Sequence, residues 1–193
     1  GLDVGAIVAD PEHVMSALIR NVFFEFEGHL PETAKTDLGK LISEHVRATT
    51  EYAQHMDGRD WRKFLLRFDK ILIPPVRDSK GPVAEATLLL KCLAIMYCCI
   101  VKEPKAIDKQ TMLLFRAASF CWGSVLEDLQ ASGYFSQRVF NLYSIYIRVF
   151  LPVLFSPEYA PKLVSTQHCE AFWGPIRRFL AAGDHKMSRT NLM

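Results

Sequence analysis

Glycine and proline are scarce in this chain of 193 residues, with 10 of each. No stretch is rich enough in Pro, Gly or Ser to act as a linker, so one domain is expected. Low-complexity tracts are missing too, and a chain that is 50% apolar has the composition of a globular core and not of a disordered segment. The five cysteines, Cys92, Cys98, Cys99, Cys121 and Cys169, include no C-x-x-C pair, no histidine pair stands at zinc-ligand spacing, and no N-x-[ST] acceptor occurs. Disulfide scaffolding and a metal centre are therefore not expected. The thiols read as small buried hydrophobes, and the expected compartment is a reducing one, cytoplasmic or nuclear.

Charge of one sign is also lacking. Against 23 basic residues stand 21 acidic ones, a net of +2, which gives no global pull toward nucleic acid or membrane. Gly1 to Asp10 has neither the basic flank nor the apolar run of a secretory signal and reads as an N-terminal arm. The strongest hydrophobic stretch, Leu88 to Val101, broken only by Lys91, falls short of the roughly 20 residues of a membrane span and reads as a core helix. Phosphate-cradling glycine loops, H-E-x-x-H, G-x-S-x-G and kinase signatures are missing. The carboxylate pairs Glu25/Glu27 and Glu127/Asp128 diverge on a helix and cannot flank one bond. Cys169 beside His168 points away from it for the same reason. No catalytic activity and no cofactor is expected.

What is present is helical periodicity. Asp10-Pro11 opens a helix with Val14, Leu18, Val22 and Phe26 in register, closed at Gly28. A second runs from about Thr36 to Met56, with Leu38, Leu41, Ile42, His45, Val46, Thr49 and Ala53 on one face. A third, Arg59 to Leu72, segregates Trp61, Phe64, Leu65, Phe68 and Leu72 from its charged side and should stop at Ile73-Pro74-Pro75. Pro82 opens a fourth helix, about 82–102, apolar nearly all round and so expected to have neighbours on every side. Asp108 to Ala131 and a helix from Gln137, ended or kinked at Pro152, follow, and a last one runs from Ser165 to Gly183 with a break at Gly174-Pro175. Only Val22 to Phe26 and Leu72 to Val76 could compete as strands. The expected fold is all-α, a single-domain bundle of seven or eight helices over 11–183 around the 82–102 helix, with a polar tail over 184–193. That tail has no packing signal, and the chain reads as a piece of a longer protein.

Two features point to function. Phe140, Tyr143, Tyr146, Phe150 and Trp173 are candidates for an apolar groove that receives a partner helix or peptide, the tyrosines supplying polar handles. Arg59, Arg62, Lys63, Arg67 and Lys70, extended by Arg177 and Arg178, are candidates for tracking phosphates. The expectation is a non-catalytic adaptor or scaffold module that binds another protein. The alternatives are an RNA-associated or nucleocapsid-like domain using the basic helix, and a bundle that holds a lipid or acyl chain. Self-association is a further partner reading. The separation rests on chemistry, since phosphate contacts weaken steeply with salt and apolar contacts do not.

Overall fold

The computed structural model describes residues 11–46, 56–136, 139 and 142–158. Its first helix, α1 (Pro11–Gly28), carries two adjacent apolar rows, so that Met15, Ile19 and Phe23 are buried along with Val14, Leu18, Val22 and Phe26. A stripe that wide lets one helix touch several neighbours. Indeed, α1 packs on three later helices, Gly58–Leu66, Pro82–Ile100 and Leu142–Ile145.

The second helix, α2 (Glu32–Val46), begins before the expected Thr36, because the Pro31 carbonyl accepts the Lys35 N–H at 3.0 Å and Glu32 pairs with Lys35 in the first turn. Residues 47–55 lie outside the described residues. Met56 is buried in non-helical chain, so the helix does not run on to it.

Asp57 caps α3 (Gly58–Leu66), its carboxylate accepting from the N–H groups of Arg59 and Asp60 at 2.8 and 3.0 Å. Phe23 of α1 meets Trp61 and Phe64 edge-on at 5.3 and 5.4 Å, a preferred aromatic geometry. The prolines were expected to stop the helix, and its last segment does end at Ile71, but a new helical turn starts at once. After α4 (Phe68–Ile71) comes α5 (Ile73–Val76), in which Pro74 and Pro75 occupy the first turn. Backbone N–H groups there have no partner within the helix, so proline's missing donor costs nothing.

Gly81, at φ +60°, turns the chain into α6 (Pro82–Ile100). This helix contacts α1, α3, α5 and the helix that follows it, Lys109–Ala131, and buries Leu89, Leu90, Leu93, Met96 and Ile100 completely. Each such side chain contributes roughly 1.5–3 kcal/mol of transfer free energy, which makes α6 the centre of the core. At 19 residues and a mean hydropathy of 1.9 it is also long and apolar enough to cross a membrane, with 56% of that window buried. Length therefore does not argue against a span as it did for the shorter Leu88 to Val101 run.

A 3₁₀ turn (Pro104–Ala106) leads to α7 (Lys109–Ala131), capped by Asp108 through the Thr111 N–H at 2.7 Å. Helices α6 and α7 form a closely packed antiparallel hairpin in which Lys102 Nζ donates to Thr111 Oγ1 at 2.8 Å. At the far end Gly133, at φ +72°, lets the N–H of Tyr134 reach back to the Leu129 carbonyl. A left-handed residue at that position is the usual helix stop.

The chain then forms α8 (Leu142–Ile145), a π-helical turn (Tyr146–Phe150) and α9 (Leu151–Leu154). Pro152 does not end the segment, which stays helical through Leu154. It sits in the first turn of α9, and the preceding π turn absorbs the missing donor. Among the described residues there is no strand, and Val22 to Phe26 and Leu72 to Val76 are helical or turn. The all-α bundle around a central apolar helix is thus the fold the chain adopts.

Candidate functional site

On α7 the inward register is Thr111, Phe115, Ala118, Ser119, Trp122 and Leu126. Three large apolar residues, Leu113, Leu114 and Phe120, lie off it and face water, Phe120 with 76% of its surface accessible. Across a cleft from Phe120 stand Val149 of the π turn, 52% accessible, and Val153 of α9, 77% accessible. The cleft between them has a volume of about 620 Å³ and is bordered by Arg116, Ser119, Arg148 and Pro152. Among the described residues, its charged lining groups are two arginines.

Those borders are fixed by hydrogen bonds between the two walls. Arg116 Nε donates to the Pro152 carbonyl at 3.0 Å, and the buried Ser119 hydroxyl donates to the Ile147 carbonyl at 2.7 Å. Arg148 lies over Gly123 and pairs with Glu127. A Cβ at position 123 would come within 2.7 Å of Arg148 Nε, so any larger residue there would force the Arg148 side chain to shift. Beneath the cleft Phe115 packs on Phe155 with ring centroids 4.6 Å apart.

The expected groove residues divide. Tyr146 is buried, 5% exposed, Tyr143 is half-buried, and Phe150 reaches the surface beside Val149. Phe140 and Trp173 lie outside the described residues. The exposed apolar residues that line the cleft are therefore Phe120, Val149 and Val153, which the sequence analysis did not single out, and none of the expected groove set is among them. The signal for Phe120 was there, because it breaks the apolar register of its own helix.

The basic helix divides as well. Arg62 lies in a mostly buried pair with Glu12 of α1 at 3.3 Å. Lys63 pairs with Asp60 at 3.1 Å and reaches the Val46 carbonyl at 3.4 Å, and Arg67 donates to the His45 carbonyl. Arg59 pairs with Asp57 at 3.7 Å, and Lys70 is exposed. Most of these cations thus tie α3 to α1 and α2. Arg177 and Arg178 lie outside the described residues, as do Cys169 and His168.

A second, smaller groove of about 230 Å³ runs between α3, α6 and α7, where Leu66, Ile95 and Leu114 meet Lys91, Lys102 and Asp69. The carboxylate pairs behave as separate groups. Glu25 engages Ser136, and Glu127 engages Arg148. Glu27 is held above the ordinary carboxylate range by burial, which Lys35 partly opposes and Glu32 reinforces. No group of three or more metal-ligating side chains occurs among the described residues. No family model, curated protein or solved structure matches the chain.

Proposed function

We propose that this chain is a non-catalytic interaction module that receives a partner helix on the face built by Phe120, Val149 and Val153. The observation that carries the reading is the exposure of three large apolar side chains on two walls held at fixed separation by buried and surface hydrogen bonds. Contiguous exposed apolar surface on a rigid frame favours docking, because little conformational entropy is lost when the partner arrives. The occupant we assign is an amphipathic helix with an apolar stripe and acidic flanks. Both charged groups at the cleft border are arginines, and Arg116 spends its charge on a neutral carbonyl, so a carboxylate approaching it would be favoured.

The phosphate-tracking alternative draws less support. Four of its five described cations already have carboxylate or carbonyl partners within the bundle, and releasing them to phosphates would cost those contacts. The acyl-chain alternative would need an enclosed apolar space, whereas the two apolar grooves described above open at the surface.

The test is a displayed library of amphipathic helical peptides selected on the wild-type chain and screened against Phe120→Asp/Val153→Asp. Enriched peptides should carry acidic flanks, lose at least about tenfold in affinity on the variant, and bind nearly as well at high salt. Equal binding to both chains contradicts the reading. So does tight, salt-sensitive binding of an RNA oligonucleotide that Arg59→Glu/Lys70→Glu abolishes, capture of the apolar face by phosphatidylcholine vesicles, or a dimer in sedimentation that the Phe120→Asp change dissolves.

A further inference from the structure

Ten residues back along α6 from Lys102 stands Cys92, and ten residues on along α7 from Thr111 stands Cys121. Because the hairpin is antiparallel and Lys102 touches Thr111, the same register sets Cys92 against Cys121. Cys121 packs against the core that holds Cys92, α6 and α7 lie in close contact along the hairpin, and neither thiol is in a disulfide. Cys98 and Cys99 lie a turn or more nearer the loop and do not share that register.

We propose that Cys92 and Cys121 form a redox-sensitive pair that closes to a disulfide between α6 and α7 when glutathione disulfide is the oxidant. Cys121 is partly exposed and Cys92 is buried, so the first step takes place at Cys121. Its thiolate, having given its proton to water, attacks one sulfur of glutathione disulfide and expels a glutathione thiolate. Cys92 then loses its proton and attacks the Cys121 sulfur of the mixed disulfide, expelling the second glutathione. Two protein S–H bonds are broken, one S–S bond is formed, and one glutathione disulfide is reduced to two glutathiones. Burial, reinforced by the adjacent Cys121 thiol, pushes the Cys92 thiol up to about 12, so the closing step should accelerate as pH rises. Bonding at about 2.05 Å draws the helices together at mid-length. The cross-link then holds the helix that carries Phe120 to the centre of the core.

The experiment uses the whole chain as the Cys98→Ser/Cys99→Ser/Cys169→Ser variant, equilibrated in glutathione buffers of rising disulfide fraction, then unfolded and alkylated with iodoacetamide. The expected result is loss of both alkylatable thiols, no retained glutathione, and a higher thermal midpoint that dithiothreitol reverses. Changing Cys121→Ser in the same background should leave Cys92 fully alkylatable. Retention of both thiols, or arrest at a glutathione adduct, would overturn the proposal. Should the triple variant fail to fold, peptide mapping of the oxidised wild-type chain decides, with a Cys92–Cys121 linked peptide expected and any other pairing contradicting it.

Discussion

Ser119 donates its hydroxyl hydrogen to the carbonyl oxygen of Ile147 across 2.7 Å, with both residues buried. The π turn explains why this bond exists. In that turn the Leu151 N–H bonds to the Tyr146 carbonyl, and the next bond in the series would run from residue 152 to Ile147. Residue 152 is proline and has no N–H to give. A side chain from α7 thus completes the backbone bonding of the opposite wall of the cleft.

Ser119→Ala should therefore leave the Ile147 carbonyl without that donor and lower stability by about 1–3 kcal/mol. Pro152→Ala in the same chain restores an N–H and should recover part of the loss, so the two changes are non-additive. Urea unfolding of the single and double variants measures the coupling. Independent, additive effects would contradict the explanation.

Neighbouring aromatics on α7 should behave oppositely. Phe115 is fully buried against Phe155, so Phe115→Ala should cost about 3–5 kcal/mol. Phe120→Asp, on the exposed face, should change stability by no more than about 0.5 kcal/mol. The same denaturation assay reads both.

Cations on α3 should differ according to the contacts they make. Arg62→Ala removes a charged hydrogen bond from the partly buried Glu12 and should destabilise by about 1.5–3 kcal/mol. Arg59→Ala and Lys70→Ala, at exposed positions, should stay within about 0.5 kcal/mol of wild type. Thermal midpoints of the three variants decide whether this helix face is structural or free for a ligand.

Acid sensitivity follows from the helix caps. Burial works against ionisation of Asp57, but the N–H groups of Asp60 and Arg59 and the nearby Arg59 and Lys63 cations outweigh it, leaving the carboxyl below its ordinary value. Asp108 is lowered by its hydrogen bonds with the Thr111 side chain and N–H. Native values below the unfolded ones mean that both groups contribute stability above about pH 4, and this is lost as pH falls through the lowered values. Glu27 has the opposite sign, since its raised native value favours the protonated form, whose contribution is present below about pH 4 and fades as pH rises through the raised value. In a pH series of urea midpoints, Asp57→Asn/Asp108→Asn should flatten the acid limb, and Glu27→Gln should remove the opposing gain.

The bundle was legible because its signals are local. Pro11, Asp108 and Gly133 sit where caps and stops belong, and the apolarity around Leu89 and Leu93, broken only by Lys91, announces a helix covered on several sides. Prolines misled where local chemistry had two outcomes. Pro74, Pro75 and Pro152 all occupy first turns of new helical segments, and whether a proline ends one helix or begins the next depends on neighbours distant in sequence. The cleft was less legible for a related reason. Tyr146 and Phe150 look alike in a helical pattern, yet one is buried and the other faces water, because the π turn shifts the register of everything after it. Arg62 and Lys63 read as a basic face until the chain folds and supplies Glu12 and the Val46 carbonyl from other helices.

The most direct measurement is a paired titration of Phe120→Asp/Val153→Asp, reading urea midpoint and affinity for an acidic-flanked helical peptide on one protein sample. An unchanged midpoint with affinity at least about tenfold weaker is the result that a solvent-facing docking surface requires. A collapsed midpoint would show that these side chains hold the fold together, and intact affinity would place the partner elsewhere; either result contradicts the account.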